Sequence, residues 1–226
     1  MMAFDLALRC TQIGLALAVL QQAVEQMAID RADRWWLSLR ALACVLLLGQ
    51  QDWAIWGLMA SGVWALHCYD GPFNGGSDKM TLLITTCLCV THAAPDPFWH
   101  EMALAYLAVQ LVLSYVISGQ VKLRNPAWRR GEALRDVFAF SAYPVSERLR
   151  ALAHSRWVTF WGAWTVMLVE TGFVLFMLHP VALVIGLALA AAFHLANAVL
   201  FGLNRFFWIW LAAYPSVIWL QGRLLG

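Results

Sequence analysis

Five polar side chains stand out in a chain otherwise built from apolar residues: His67, Lys122, Glu170, His194 and Asn197. Lys122 closes the run LALAYLAVQLVLSYVISGQVKL, where an ammonium in hydrocarbon costs about 2.5 to 3.5 kcal/mol unless it reaches the interface. Two readings fit it: an anchor that snorkels to the headgroups, or a base whose neutral amine is favoured by desolvation. Gly119, one turn earlier, leaves room for a backbone or ligand to approach closely. Glu170, in TVMLVETGFVLF, must be neutral or paired at that depth, and Lys122, His67 and Arg205 are its conceivable partners.

His194 and Asn197, in FHLANAVLF, are three residues apart and share a helix face, which suits a binding pocket or a hydrogen-bonded link between helices. His67 ends an apolar run in ALHCYDGPFNGGSDKM. It could polarise a substrate carbonyl or carboxylate, or simply bond a neighbouring helix. Asp78 in the same segment reads as a helix cap. No H-E-x-x-H, G-x-S-x-G, nucleotide-binding glycine loop or zinc-type cysteine pattern occurs, so no metal site is expected. Cys10, Cys44, Cys68, Cys87 and Cys89 lie in or beside apolar runs without a C-x-x-C pair and read as small buried hydrophobes.

The elements that must position these residues are membrane helices. The 226 residues are 62% hydrophobic and 12% charged, with mean hydropathy +0.67. A soluble domain carries about 25% charged residues. Apolar runs near 4–24, 36–50, 53–69, 79–95, 99–121, 157–178, 181–203 and 205–221 give about eight spans. The expected class is all-α and polytopic: one transmembrane domain over 1–226 with no soluble domain. The first run lacks the basic flank and cleavage site of a signal peptide and is expected to be retained. A formal net charge of +2 argues against nucleic acid, and 13 tryptophans suit the bilayer interfaces.

Between the fifth and sixth runs lie Lys122, Arg124, Arg129, Arg130, Arg135, Arg148, Arg150 and Arg156, which the positive-inside rule places in the cytoplasm. With eight spans, Arg31, Arg34, Lys79 and Arg205 fall on that side and both termini outside. Within this connection GEALRDVFAFSAYPVSERLRALAH reads as two amphipathic interfacial helices broken at Pro144, a basic loop or a lid.

These segments, in this order, resemble the HTTM (horizontally transferred transmembrane) domain, the membrane portion of vitamin K-dependent gamma-glutamyl carboxylases. YVISGQVKLRNPAWRRGEAL is similar to the family's aromatic-rich helix end with Gly, Lys-Leu, Trp and a further Gly. FHLANAVLF resembles its Phe-His-x-x-Asn-x-x-Leu-Phe run, Glu170 falls where the family has an acid before Gly-Phe, and His67 precedes a similar acidic turn. The resemblance implies Lys122 as catalytic base and His67 as anion stabiliser. It places His194, Asn197, Gly119 and Glu170 around a cofactor, reduced vitamin K or another quinol, in gamma-carboxylase-like lyase and oxygenase chemistry.

Membrane lipid and a quinol-like ligand are then the expected partners, in a multi-pass protein of a bacterial cytoplasmic membrane. Compact relatives include a membrane protein used in maturing a secreted bacterial toxin peptide, which implies a peptide substrate or partner protein. The chain has no counterpart of the carboxylases' large extramembrane peptide-binding region, and Arg135 lies only near their arginine beyond the Trp-Gly segment. The alternative expectation is a non-catalytic scaffold, carrier, or lipid- or quinone-binding protein.

Overall fold

The structure is a computed structural model and describes residues 2–29, 34–68, 75–140 and 146–226, with the side chain of Cys68 left out. Every regular element among them is helical: α1 (Phe4–Ile29), α2 (Arg34–Leu48), α3 (Ala54–Cys68), α4 (Gly76–Ala93), α5 (Pro97–Arg124), α6 (Pro126–Arg129), α7 (Glu132–Phe140), α8 (Glu147–Arg150), α9 (Arg156–Thr171), α10 (Pro180–Phe201) and α11 (Asn204–Leu225), with 3-10 turns at Ala151–His154 and Phe173–Leu178. Each apolar run of the sequence coincides with a helix, or with α9 and its 3-10 extension. By length and composition α1, α5 and α10 are long and apolar enough to cross a membrane. Large apolar side chains stay exposed on all three, among them Leu17, Val109, Ile117 and Val184. Helices apolar on both their packed and open faces belong in hydrocarbon.

The chain divides into two compact units, 1–109 with 208–226, and 110–207. In the first, α1 packs on α2 and α4, and α3 lies against both α2 and α4. Leu15, Leu37, Leu47 and Ile84 are fully buried there. α1 meets α11 at Gly14, where a Cβ would stand 2.7 Å from the Ala212 Cα. Arg9 donates to the carbonyls of Leu47 at 2.9 Å and Leu48 at 2.6 Å, satisfying acceptors that the end of α2 leaves open.

In the second unit α7 packs on α9 and on the 3-10 turn at 151–154, and α10 packs on α9 and on the turn at 173–178. Phe138, Ala153 and Phe201 form a small apolar core, with Leu134 and Leu203 against it. The α10 terminus is closed by Gly202 in the left-handed region, φ 69°, a conformation that costs glycine little.

Several expectations are revised. Asp78 does not cap α4: the cap position is Gly75, without a side-chain bond, and Asp78 accepts from Gln22 Nε2 at 3.3 Å. Its charge in the first turn still suits the helix dipole. The run 157–178 is not one helix, because α9 stops at Thr171 and the chain tightens into a 3-10 turn after Gly172. Both helices expected in the basic connection are present as α7 and the short α8, but the break at Pro144 lies outside the described residues, as do Arg31 and Asn74. Cys44, Cys87 and Cys89 are buried free thiols, and Cys10 is partly buried.

Candidate functional site

The second unit gathers its polar groups along one face of α5. Tyr115, Ser118, Gly119 and Lys122 follow the i, i+3, i+4, i+7 spacing of a single helical stripe. The Lys122 Nζ donates to Ser118 Oγ and to Glu170 Oε2, both at 2.6 Å, and Ser118 Oγ donates to Glu170 Oε1 at 3.4 Å. The ammonium and carboxylate side chains retain only 17% and 6% of their exposure. Two of the three lysine donors are thus committed to the pair.

Glu170 reaches this face from the last turn of α9. Gly119 lies so close to the terminus of α9 that a Cβ would overlap the backbone N and Oγ1 of Thr171 and sit 2.9 Å from its Cα. The close approach is therefore filled by backbone. The Thr171 Oγ1 is buried with no hydrogen-bond partner among the described residues. Non-helical backbone at membrane depth is tolerated where protein surrounds it, and here α5 does so.

One wall is aromatic. The Trp128 ring lies 5.4 Å from the Lys122 Nζ, within range of a cation–π contact. Its helix α6 starts with Pro126 in the first turn and the Asn125 side chain accepting from Ala127 N at 2.9 Å, a capped start that fixes the ring's backbone. Gly131, φ 76°, lets the next turn press on α9, where a Cβ would meet Phe160 N at 2.8 Å. Trp164 Nε1 donates to the Arg129 carbonyl at 3.1 Å.

Two turns back along the stripe, the Tyr115 hydroxyl and the His194 Nε2 of α10 are hydrogen-bonded at 2.9 Å, and Tyr115 stacks on Phe173 with centroids 4.4 Å apart. All three residues are buried. Asn197 lies one turn beyond His194, partly buried, and its carbonyl accepts from the Leu203 N–H at 3.2 Å.

Of the residues expected from sequence, Lys122 and Glu170 are in direct contact, Gly119 seats the α9 terminus beside them, and His194 joins the same stripe through Tyr115. His67 belongs to the first unit, exposed at the end of α3, with its ring tilted against Trp64 at 6.0 Å. Sequence reading passed over Tyr115, Ser118, Thr171 and Phe173. The spacing of Tyr115 and Ser118 to Lys122 was a usable signal; Thr171 and Phe173 had none, because they depend on where α9 breaks.

The model of the HTTM domain matches residues 89–220, more than half of the chain, and the chain belongs to that family. The HTTM domain is found in vitamin K-dependent carboxylase-like proteins. The match takes in Lys122, Gly119, Glu170, His194 and Asn197 and leaves His67 outside it. With its apolar helices, this makes the chain a membrane protein. No curated protein and no solved structure matches it.

Proposed function

We propose that the chain is a multi-pass membrane enzyme, crossing the bilayer about eight times, in which Lys122 acts as a base toward a quinol-like cofactor or substrate such as reduced vitamin K. The outcome would be an oxygenation or carboxylation-type modification of a small molecule or peptide. The observation that carries the reading is the buried Lys122–Glu170 pair, bridged by Ser118, beside a broken helix in an HTTM domain.

The surrounding groups suit a hydroquinone oxygen. An amine, the Ser118 hydroxyl and the Thr171 hydroxyl, which has no hydrogen-bond partner among the described residues, lie on facing segments of α5 and α9. When bound, such a group supplies a phenolic hydroxyl whose anion is reactive toward dioxygen. Lys122 would accept that proton at Nζ, which requires its lone pair; Glu170, 2.6 Å away, can hold the proton otherwise carried by the amine. Ser118 keeps both partners aligned through its two bonds. Trp128 sets its ring 5.4 Å from the Lys122 Nζ, beside the pair. His67 as anion stabiliser and His194 with Asn197 as pocket residues complete the proposal, supported by the family resemblance.

The same ion pair favours a second reading, a non-catalytic scaffold or carrier in which Lys122 and Glu170 only hold α5 to α9. The readings separate on turnover. The purified chain in lipid nanodiscs is supplied with vitamin K hydroquinone and dioxygen, and quinol consumption is followed against empty discs. Consumption by the wild type that is abolished in Lys122→Met supports the enzyme. Equal rates in the two proteins, or none in the wild type, would support the scaffold. Removing Lys122 alone strands a buried carboxylate and costs about 3 to 5 kcal/mol, so the folded control is Lys122→Met with Glu170→Leu.

A further inference from the structure

We propose that the basic connection between α5 and α9 is a docking surface for anionic phospholipid headgroups, with α7 lying in the headgroup layer. Residues 123–156 carry seven arginines against three carboxylates, in a chain whose formal net charge is only +2. Arg130, Arg135 and Arg150 are paired with Glu132, Asp136 and Glu147, and the Arg130 guanidinium hydrogen-bonds Glu132 and holds its carboxyl below the usual carboxylate range. Arg124, Arg129, Arg148 and Arg156 are exposed and form no ion pair among the described residues. Their charge is therefore left for a partner outside the described chain.

The apolar groups beside them say what that partner is. α7 turns Phe138 into the small core of the second unit and leaves Val137 and Phe140, which share a face at i, i+3, exposed at 40% and 80%. On the first turns of α9, Trp157 and Trp161 repeat the pattern at i, i+4, exposed at 72% and 53%. Tryptophan favours the headgroup level, and an amphipathic helix buries its apolar face just beneath it. Arginines at the ends of α5 and α9 place their guanidinium groups at the same boundary, where planar donors bind phosphate in bidentate fashion. An acidic peptide would satisfy the charges but leave Phe140 and Trp157 in water. A lipid surface satisfies both.

The test uses the full chain in nanodiscs of phosphatidylcholine, with and without phosphatidylglycerol. Thermal unfolding is followed by tryptophan emission, and co-purifying lipid is identified by native mass spectrometry. The wild type is expected to unfold several degrees higher with phosphatidylglycerol and to retain it over phosphatidylcholine by about tenfold, since each cation near the surface adds substantially to anionic lipid binding. The variant R124Q/R129Q/R148Q/R156Q is expected to match the wild type in phosphatidylcholine and to lose both gains. Should that variant not fold, about 1 M salt, which shortens the screening length to about 3 Å, is expected to erase the wild type's gain. The proposal is overturned if the two lipids behave alike for the wild type, if the variant keeps the preference, or if inorganic phosphate or a polyglutamate peptide reproduces the gain without anionic lipid.

Discussion

Lys122 and Glu170 illustrate how much one contact decides at the scale of the residue. A lysine near hydrocarbon is expensive, and so is a glutamate within an apolar run; at 2.6 Å, with Ser118 bonded to both, each supplies what the other lacks. Glu170→Leu alone is expected to destabilise the protein by about 3 to 5 kcal/mol, because it leaves the ammonium buried and unpaired. Lys122→Met with Glu170→Leu is expected to restore most of that loss, measured as detergent or nanodisc unfolding temperature; equal losses in the single and double variants would contradict a direct pair. His67→Ala, at an exposed position, is expected to shift stability by no more than about 0.5 kcal/mol. A drop in quinol consumption in that folded variant would support its anion-stabilising role, and an unchanged rate would remove it from the proposed site.

Elements explain why those side chains meet. α5 presents a polar stripe, and Glu170 and Thr171, in the last turn of α9, meet it beside Gly119. Gly119→Ala forces the helices apart, with an expected cost of about 1 to 3 kcal/mol and a loss of activity larger than the loss of folded protein. Arg9→Met is expected to cost about 1.5 to 3 kcal/mol by uncovering the last carbonyls of α2, while leaving quinol consumption per folded molecule unchanged. The apolar runs were legible in the sequence because hydropathy alone marks such helices, and because few charges occupy those runs the partner of Glu170 could be narrowed to Lys122, His67 or Arg205, without choosing among them. The stop in α9 was not legible: ETGFVLF has no proline, and a single glycine in an apolar run does not distinguish continued helix from a 3-10 turn. Nor was the partner of Asp78, since Gln22 reaches it from another helix.

At the scale of the whole molecule, the chain is a membrane protein of the HTTM family whose regular elements among the described residues are all helical, with many large apolar side chains exposed and basic residues concentrated in one connection. The orientation expected from that connection and the lipid-docking role of the same arginines concern a single boundary. Cysteines introduced at Arg129 or Arg148, in a background lacking the native thiols, are expected to react with an impermeant maleimide only after the membrane is opened from the cytoplasmic side. Labelling in intact cells would reverse the orientation without altering the chemistry proposed for Lys122.

The central claim, that Lys122 is a base and not only a strut, is tested most directly by quinol consumption in nanodiscs containing the wild type or the Lys122→Met, Glu170→Leu double variant. Oxygen-dependent consumption is expected from the wild type, and a rate at the level of empty discs from the folded double variant. A folded double variant that consumes quinol as fast as the wild type would contradict it.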